Sequence, residues 1–411
     1  MKKSIFFAAL MMSAFVLTGC DQAGTPETDS TKLWPAQKDE ASEWGFVNAS
    51  GEMKIPAKYK EVQTFSCGFA RVKNEEGEYI FVDKSNNKYT PKKDEGTAPD
   101  SHFYYDVCVV TYDGHDAYIG TDFQLCTKGE FDPLYQMTAD GLAAFKYKNE
   151  NEWGYCDKNG NQKISPRFSG SAGAFMDGIA VVSDVRNGDT WYYTIDKNGK
   201  QLCDETKKPL TNLGEQRVAY ENDGKLVLCD QALNEINLDG TYYYGNSFGG
   251  AYDAIFTDGL LKVHNKNRDK IAYINPKGQE IIPMDYAEGN DFYEGLAWVK
   301  TTGNNGKWIV INKKNGEEAL QLTTSQFVGY SNLPSYFHNG LTYYNNGNKV
   351  FLVDKSGNEK YVWKMANGGG GYQPDPYDPY DPYGEAPAVN PMAGTKYGPL
   401  YEYNMKHFPK N

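Results

Sequence analysis

Three carboxylates, Asp177, Asp258 and Glu294, each stand one residue before a glycine (Gly178, Gly259, Gly295) in the same short sequence pattern. Acids at equivalent turns could share the proton transfers of polysaccharide or peptide hydrolysis, provided two of them reach the same bond. The position before a turn glycine also suits Asp and Glu for conformational reasons alone. The bland reading, a turn or bulge, is the stronger one.

Other chemistry is thinner still. Asp157-Lys158-Asn159-Gly160-Asn161 looks like the start of a calcium loop. An EF-hand requires Gly at its sixth position and Glu at its twelfth, where this chain has Gln162 and Phe168. That segment reads as a turn. The histidines (102, 115, 264, 338, 407) are scattered, with no HExxH, and there is no P-loop or GxGxxG. No metal or cofactor is called for, and the chain reads as a non-enzyme. Cys67, Cys108, Cys126, Cys156, Cys203 and Cys229 form no CxxC pair. Fifteen disulfide connectivities are open to six cysteines, and small buried hydrophobes on strands are the plainer reading.

The tyrosines offer binding in place of catalysis. Tyr104-Tyr105, Tyr242-Tyr243-Tyr244 and Tyr343-Tyr344 are runs in which strand alternation sends one ring inward and the next outward. An outward tyrosine presents a flat apolar face and a hydroxyl, which suits a sugar or a peptide. Tyr242, Tyr243 and Tyr244 are the ligand-binding candidates.

The elements that must hold these residues repeat. The pattern Phe-x-x-Gly-apolar recurs at Phe65–Val72, Phe175–Val182, Phe256–Val263, Phe292–Val299 and Phe337–Tyr344. A Phe-less copy starts at Gly141, and Gly-less relics lie at 106–110 and 216–220. The spacing averages about 39 residues, the signature of a repeat architecture. Each copy leads into a hairpin, clearest in Trp153-Gly154-Tyr155-Cys156 followed by Asp157-Lys158-Asn159-Gly160. Asn-Gly and Ser-Gly suit the reversal, since Gly accepts positive φ and Asn or Asp bonds its own backbone. A two-stranded hairpin is marginal in water, whereas stacked three-strand units bury a shared face.

These residues resemble the WG-repeat family of bacterial proteins. The match includes Trp44-Gly45-Phe46-Val47, Gly51, Ile55-Pro56, Tyr59 and Phe65–Val72, with Gly68 in the motif. It includes Trp153-Gly154-Tyr155, Gly160 and the strand at Gly178, then Tyr273-Ile274, Gly278, Ile281-Ile282-Pro283, Tyr286 and Phe292–Val299. The resemblance covers about residues 43–363, with degenerate copies at 79–125 and 217–255. It implies a repeat architecture and, commonly, export. No single biochemical activity follows from it.

The chain opens with Lys2-Lys3, an apolar run from Ile5 to Leu17, and small residues up to Gly19. That is the layout of a secretory signal, and the run is too short to span a bilayer. Leu17-Thr18-Gly19-Cys20 resembles the bacterial lipobox, which implies cleavage before Cys20 and attachment of thioether-linked lipid and palmitate-like acyl chains there. Several acyl chains anchor a protein stably where one does not.

The expected organisation is a signal peptide over 1–19, a flexible tether over 20–42 and a β-repeat domain over 43–363. A Gly/Pro/Tyr/Asp-rich linker follows over 364–390, then a terminal segment over 391–411. The repeat domain is expected to be all-β: about eight three-stranded antiparallel meanders plus an N-terminal hairpin, propeller-like or an open curved solenoid. Trp44, Gly45, Gly68, Trp153, Gly154, Gly178, Gly259, Gly295 and Gly340 are its structural positions.

The formal charge of −12, unclustered, argues against nucleic acid as a partner. The expected function is a non-catalytic lipoprotein, attached to a membrane through Cys20 at the outer membrane, on its periplasmic or surface side. Its repeat surface would bind an envelope protein or glycan. An envelope-associated hydrolase using Asp177, Asp258 or Glu294 is the alternative.

Overall fold

The structure is a computed structural model that describes residues 32–39, 43–91, 95–97, 102–127, 130–243, 255–303, 306–320, 336–346 and 349–364. Cys20, Tyr244, the Tyr-Asp-Pro tail and the terminal segment lie outside these residues. The described secondary structure is all β-strand, in antiparallel sheets.

The strands group into nine successive units. Unit 1 is Leu33–Gln37, Trp44–Asn48 and Met53–Tyr59; unit 2 is Glu61–Val62, Phe69–Lys73, Tyr79–Asp83 and Lys88–Tyr89. Unit 3 is Glu95–Thr97, Val107–Tyr112 and His115–Gly120; unit 4 is Phe131–Leu134, Ala143–Tyr147, Trp153–Cys156 and Gln162–Phe168. Unit 5 is Ser171–Ala172, Ile179–Arg186 and Asp189–Asp196; unit 6 is Thr211–Gly214, Arg217–Asn222 and Lys225–Asp230. Unit 7 is Leu261–His264, Ile271–Ile274 and the start of Glu280–Gly289. That long strand crosses into unit 8, which adds Leu296–Thr301, Trp308–Asn312 and Glu318–Leu320. Unit 9 is Leu341–Asn346, Lys349–Asp354 and Glu359–Lys364.

Each unit sits between two others, so both faces of its sheet are covered. In unit 5, Ala180 and Val182 pack into a cluster with Tyr155, Phe168 and Trp153 of unit 4. The alternate residues Ile179 and Val181 pack with Val218, Tyr220 and Cys229 of unit 6. Ile179 to Ser183 is therefore buried without a break. A fully buried large apolar side chain is worth roughly 1.5–3 kcal/mol over an exposed one. A lone unit with both faces wet would forgo that gain, so neighbours are obligatory.

The array closes on itself. Trp34, Ala36 and Val47 of unit 1 share one apolar cluster with Leu341, Tyr343, Val350, Leu352 and Trp363 of unit 9. Trp34 Nε1 donates to the His338 carbonyl at 3.0 Å, and the Tyr343 hydroxyl to that of Pro35 at 2.6 Å. The Tyr361 hydroxyl donates to the Gln37 carbonyl at 3.0 Å, and Lys364 N–H to Asp39 Oδ1 at 2.8 Å. Of the two arrangements left open by the sequence, the ring holds.

Unit 1 corrects two expectations. Leu33–Gln37 falls in the stretch expected to be tether, and it makes the N-terminal element a three-stranded sheet and not a hairpin. The reason is Trp34 and Ala36, 2% and 0% exposed, which fill the seam with unit 9. The degenerate copies also pair regularly: His115–Gly120 opposes Val107–Tyr112, and Lys225–Asp230 opposes Arg217–Asn222, without a break in register.

The Trp-Gly pair has a steric basis. The register shifts between Trp153 and Tyr155, where the strand Gln162–Phe168 crosses closely. A Cβ on Gly154 would stand 2.7 Å from the Ile164 carbonyl oxygen, and one on Gly45 only 2.3 Å from that of Ile55. Side chains are excluded by backbone at these points. Ala272 fills the matching place in unit 7 and is fully buried, so a more open bulge accepts a methyl.

Ring closure generates a prediction. Trp34→Ala should destabilise the domain by about 3–5 kcal/mol, the range for truncating a buried aromatic. Urea unfolding followed by tryptophan fluorescence measures it. A loss under about 1 kcal/mol would mean that the closing seam adds little to stability.

Candidate functional site

The Phe-x-x-Gly motif builds a two-residue turn. Ser66 and Phe69 exchange both backbone hydrogen bonds, and between them Cys67 and Gly68 have φ of 51° and 84°. Two positive φ values in succession are the geometry whose twist matches a hairpin. Asp177-Gly178, Asp258-Gly259, Glu294-Gly295 and Asn339-Gly340 repeat it. Tyr105-Asp106 and Glu215-Gln216 adopt it without glycine, at φ between 50° and 71°. That explains how the relics keep their pairing. The copy at Gly141 has one extra residue and closes between Thr138 and Leu142.

The N–H groups inside such a turn point away from the hairpin and need acceptors. The acid of the preceding unit supplies one. Asp140 Oδ2 accepts from Gly178 N at 3.1 Å, and Asp177 Oδ2 from Glu215 N at 2.8 Å. Asp258 Oδ2 accepts from Gly295 N at 2.6 Å, and Glu294 Oε2 from Gly340 N at 2.9 Å. A lysine from the hairpin turn of the following unit completes the latch. Lys158 meets Asp106 at 3.5 Å, Lys197 meets Asp140 at 3.3 Å, and Lys355 meets Glu294 at 2.8 Å. Lys313 instead donates to the Asp258 carbonyl at 3.1 Å. Burial pushes the Glu294 carboxyl up, but Lys355 and the Gly340 N–H outweigh it and hold the group below the usual glutamate range.

The three carboxylates that raised the question of hydrolysis are thus engaged between units, each with a different neighbour. The structure does not bring Asp177, Asp258 and Glu294 together in one site. Sequence reasoning missed the latch partners Asp140, Lys158, Lys197, Lys313 and Lys355. The signal was present as a Lys in the hairpin turn, in phase with the acid before the motif glycine.

Those hairpin turns lie along the same edge of the ring. Asp157 Oδ1 accepts from Asn159 N at 2.9 Å and Asn161 N at 3.0 Å, which makes the calcium-like segment a self-capped turn. Asp83, Asp196, Asp230, Asn275 and Asp354 cap their own turns in the same way. Lys163 and Asn161 help hold the Asp157 carboxyl low against the desolvation of burial.

Tyr242, Tyr343 and Tyr344 do not face outward. Tyr242 is 3% exposed, packed with Leu226, Leu261 and Ala272, and its hydroxyl donates to Glu280 Oε2 at 2.8 Å. Tyr243 is half-buried and joins His264 by a pair of backbone hydrogen bonds. Tyr343 and Tyr344 are both buried, one against unit 1 and the other against unit 8. One ring in and one ring out presumes a sheet with one wet face, and a ring of units has none. Trp153 is buried, whereas Trp44, Trp191 and Trp308 are half-buried.

Cys108, Cys126, Cys156, Cys203 and Cys229 are free thiols. Cys108, Cys156 and Cys229 are strand residues with no exposure, and burial raises the Cys156 thiol to about 12. His264 is pushed down to about 4 by burial, with Lys262 and Arg268 adding to it. Among the described residues no three His, Cys, Asp or Glu side chains gather so as to hold a metal ion.

One feature stands out from the ring. The paired strands of unit 5 are eight residues each, against four to six for the strand that follows the motif turn in other units. Their outer end carries Val185, 48% exposed, and half-buried Trp191 with Lys207 Nζ 5.1 Å from its ring centre. Arg186 grips Glu205 with two hydrogen bonds of 2.8 and 2.5 Å. This ledge combines an apolar contact, an indole and fixed charges in the open.

The sequence model described as "WG containing repeat" matches residues 44–89, 153–191 and 272–308. No curated protein is similar to the chain. Among solved structures, the crystal structure of a eukaryotic initiation factor aligns over 82% of this chain and 96% of that one, at 13% identity and a TM-score of 0.51. The computationally designed Ika8 protein aligns over 64% and 85%, at 14% identity and a TM-score of 0.40. Apo AztD from Citrobacter koseri aligns over 81% and 94%, at 14% identity and a TM-score of 0.36. At these identities the initiation-factor match speaks for the propeller-like fold alone.

The latch predicts a pH signature. Glu294 is held low in the folded state, so its stabilisation is present above the unfolded pKa and fades as pH falls through the folded value. Glu294→Gln should cost about 1 kcal/mol at pH 7 and less at pH 3. Urea midpoints at both pH values check this; an equal loss at both would remove the charge from the latch.

Proposed function

The chain belongs to the WG-repeat family, and on that premise we propose that it is a non-catalytic binding or scaffold module. A lipidated Cys20 holds it at a bacterial cell envelope. The observation that supports the module is the latched ring. Its repeat acids serve as joints between units, and the result is a stiff body that shows similar side chains at regular intervals. Such a body suits an extended ligand, because several weak subsites act together once they are linked. The ledge on unit 5, with Trp191 and Val185, is one subsite. The ligand class is an extended protein segment or a glycan.

Two experiments test the two halves of this reading. For binding, calorimetry with glycan or peptide series of increasing length should show affinity rising steeply with length. Trp191→Ala should weaken the longest ligand by no more than about tenfold, a loss of about 1.4 kcal/mol. Affinity independent of length would point to a discrete pocket. For anchoring, Cys20→Ser should move the protein from the membrane pellet to the soluble fraction. Full retention on membranes without detergent would defeat the lipid anchor.

A further inference from the structure

We infer that Asn187 is a site of spontaneous covalent modification. Its carboxamide cyclises onto the Gly188 nitrogen, loses ammonia and leaves aspartate or isoaspartate at the tip of the unit 5 hairpin. Strand register places that tip. In each unit the strand after the motif turn begins opposite the end of the next: Phe69 faces Asp83, Ile179 faces Asp196, Leu341 faces Asp354. Motif turns and self-capped turns therefore share one edge of the ring, the turn edge. The hairpin ends at Lys73–Tyr79, Arg186–Asp189 and Asn222–Lys225 share the other.

Cyclisation needs a free nucleophile. The backbone nitrogen of the glycine must give up its proton and reach Cγ of the asparagine, and glycine has no side chain to obstruct the approach. Five Asn-Gly pairs lie wholly within the described residues, at 159–160, 187–188, 198–199, 315–316 and 339–340. In four of them the glycine N–H is already engaged. Gly160 N donates to the Asp157 carbonyl at 2.9 Å, Gly199 N to that of Asp196 at 2.8 Å and Gly316 N to that of Asn312 at 3.0 Å. Gly340 N donates to Glu294 Oε2 at 2.9 Å. Breaking a hydrogen bond of ordinary net strength slows a site by about two- to tenfold. At these four it would also open a hairpin turn or a latch.

Asn187 differs on each count. Arg186 pairs with Asp189 across a two-residue turn, with φ of 53° at Asn187 and 84° at Gly188. On this edge no neighbouring unit supplies an acceptor. Gly188 N–H and the Asn187 carboxamide have no hydrogen-bond partner among the described residues. Both residues are exposed, and a Cβ on Gly188 would meet nothing within 4 Å. Attack requires Asn187 to leave its left-handed backbone conformation, and an exposed hairpin tip opens locally at small cost. The same turn recurs at Asp113-Gly114 and Asp223-Gly224, where a carboxylate replaces the amide and there is no ammonia to lose.

The step balances without an outside reagent other than water. A bond forms from Gly188 N to Asn187 Cγ, the Cγ–Nδ2 bond breaks, and the departing amide nitrogen takes the Gly188 proton to leave as ammonia. Water then opens the imide at either carbonyl. Opening at the α-carbonyl reroutes the chain through Cγ, which adds one backbone atom to the turn. Either product puts a carboxylate next in sequence to Arg186, which holds Glu205.

Peptide mapping by mass spectrometry tests the assignment on the full chain, kept folded in mildly alkaline buffer at physiological temperature. Asn187 should gain one mass unit, with isoaspartate among the products. Its rate should exceed those of Asn159, Asn198, Asn315 and Asn339 by about fivefold or more, given the hydrogen bonds that their glycines keep. In concentrated urea those hydrogen bonds are gone, and the five rates should converge to within about twofold. Equal rates in the folded chain, or a faster site among the other four, would overturn the assignment. So would a lead for Asn187 that persists undiminished in urea, which would trace the selectivity to flanking residues and not to the turn.

Discussion

The structure depends on one constraint: a small sheet with two apolar faces has to keep water off both. Unit 5 shows how strictly it applies, since five consecutive residues from Ile179 are buried by neighbours on alternate sides. A stack of such units always leaves two raw faces at its ends unless they meet. Unit 1 and unit 9 meet through Trp34, Tyr343 and Trp363, and the problem disappears. Edge strands and end faces are liabilities in β-structure, and closure removes the end faces. The two tryptophans do for the ring what capping repeats do for an open solenoid.

Much of this was legible in the sequence, because the repeat spacing and turn chemistry are local. Phe-x-x-Gly, Asn-Gly and Trp-Gly each report a backbone need: positive φ at Gly178, a close crossing at Gly154. What could not be read was anything that depends on who the neighbour is. Tyr242 and Tyr344 resemble surface tyrosines in an isolated strand, and become core only when a second unit covers the face. Leu33–Gln37 sits in a polar stretch without a motif, and is a strand because unit 9 offers a seam for Trp34. Closure itself depends on the rotation between units, which no short motif encodes.

The repeat acid illustrates how one residue type supports two incompatible stories. A carboxylate before a turn glycine, recurring in register, is what an array of catalytic acids would look like. Geometry decides, because each acid faces the next turn's N–H and not another acid. Charge-assisted hydrogen bonds of this kind are stronger than neutral ones, and here they join units that are otherwise held by apolar packing. The ion pairs alone would be worth little, since Lys197 and Lys355 are close to half exposed. The backbone N–H is the partner that makes the latch directional.

Directionality has a consequence for what the ring can do. Every latch described runs from one unit to the next in the same sense, so the turn edge is tied from unit 3 to unit 6 and from unit 7 to unit 9, while the opposite edge carries the hairpin ends. A belt whose groups are mutually satisfied has little left to vary without loosening a joint. Hairpin ends carry no such duty, and loops of that kind change length and composition at small cost to the scaffold. The eight-residue strands of unit 5 are an instance, since they extend past their neighbours yet keep an unbroken register. Sequence variation in a ring of this design therefore finds its room on the edge without latches, and stability rests in part on the edge that carries them.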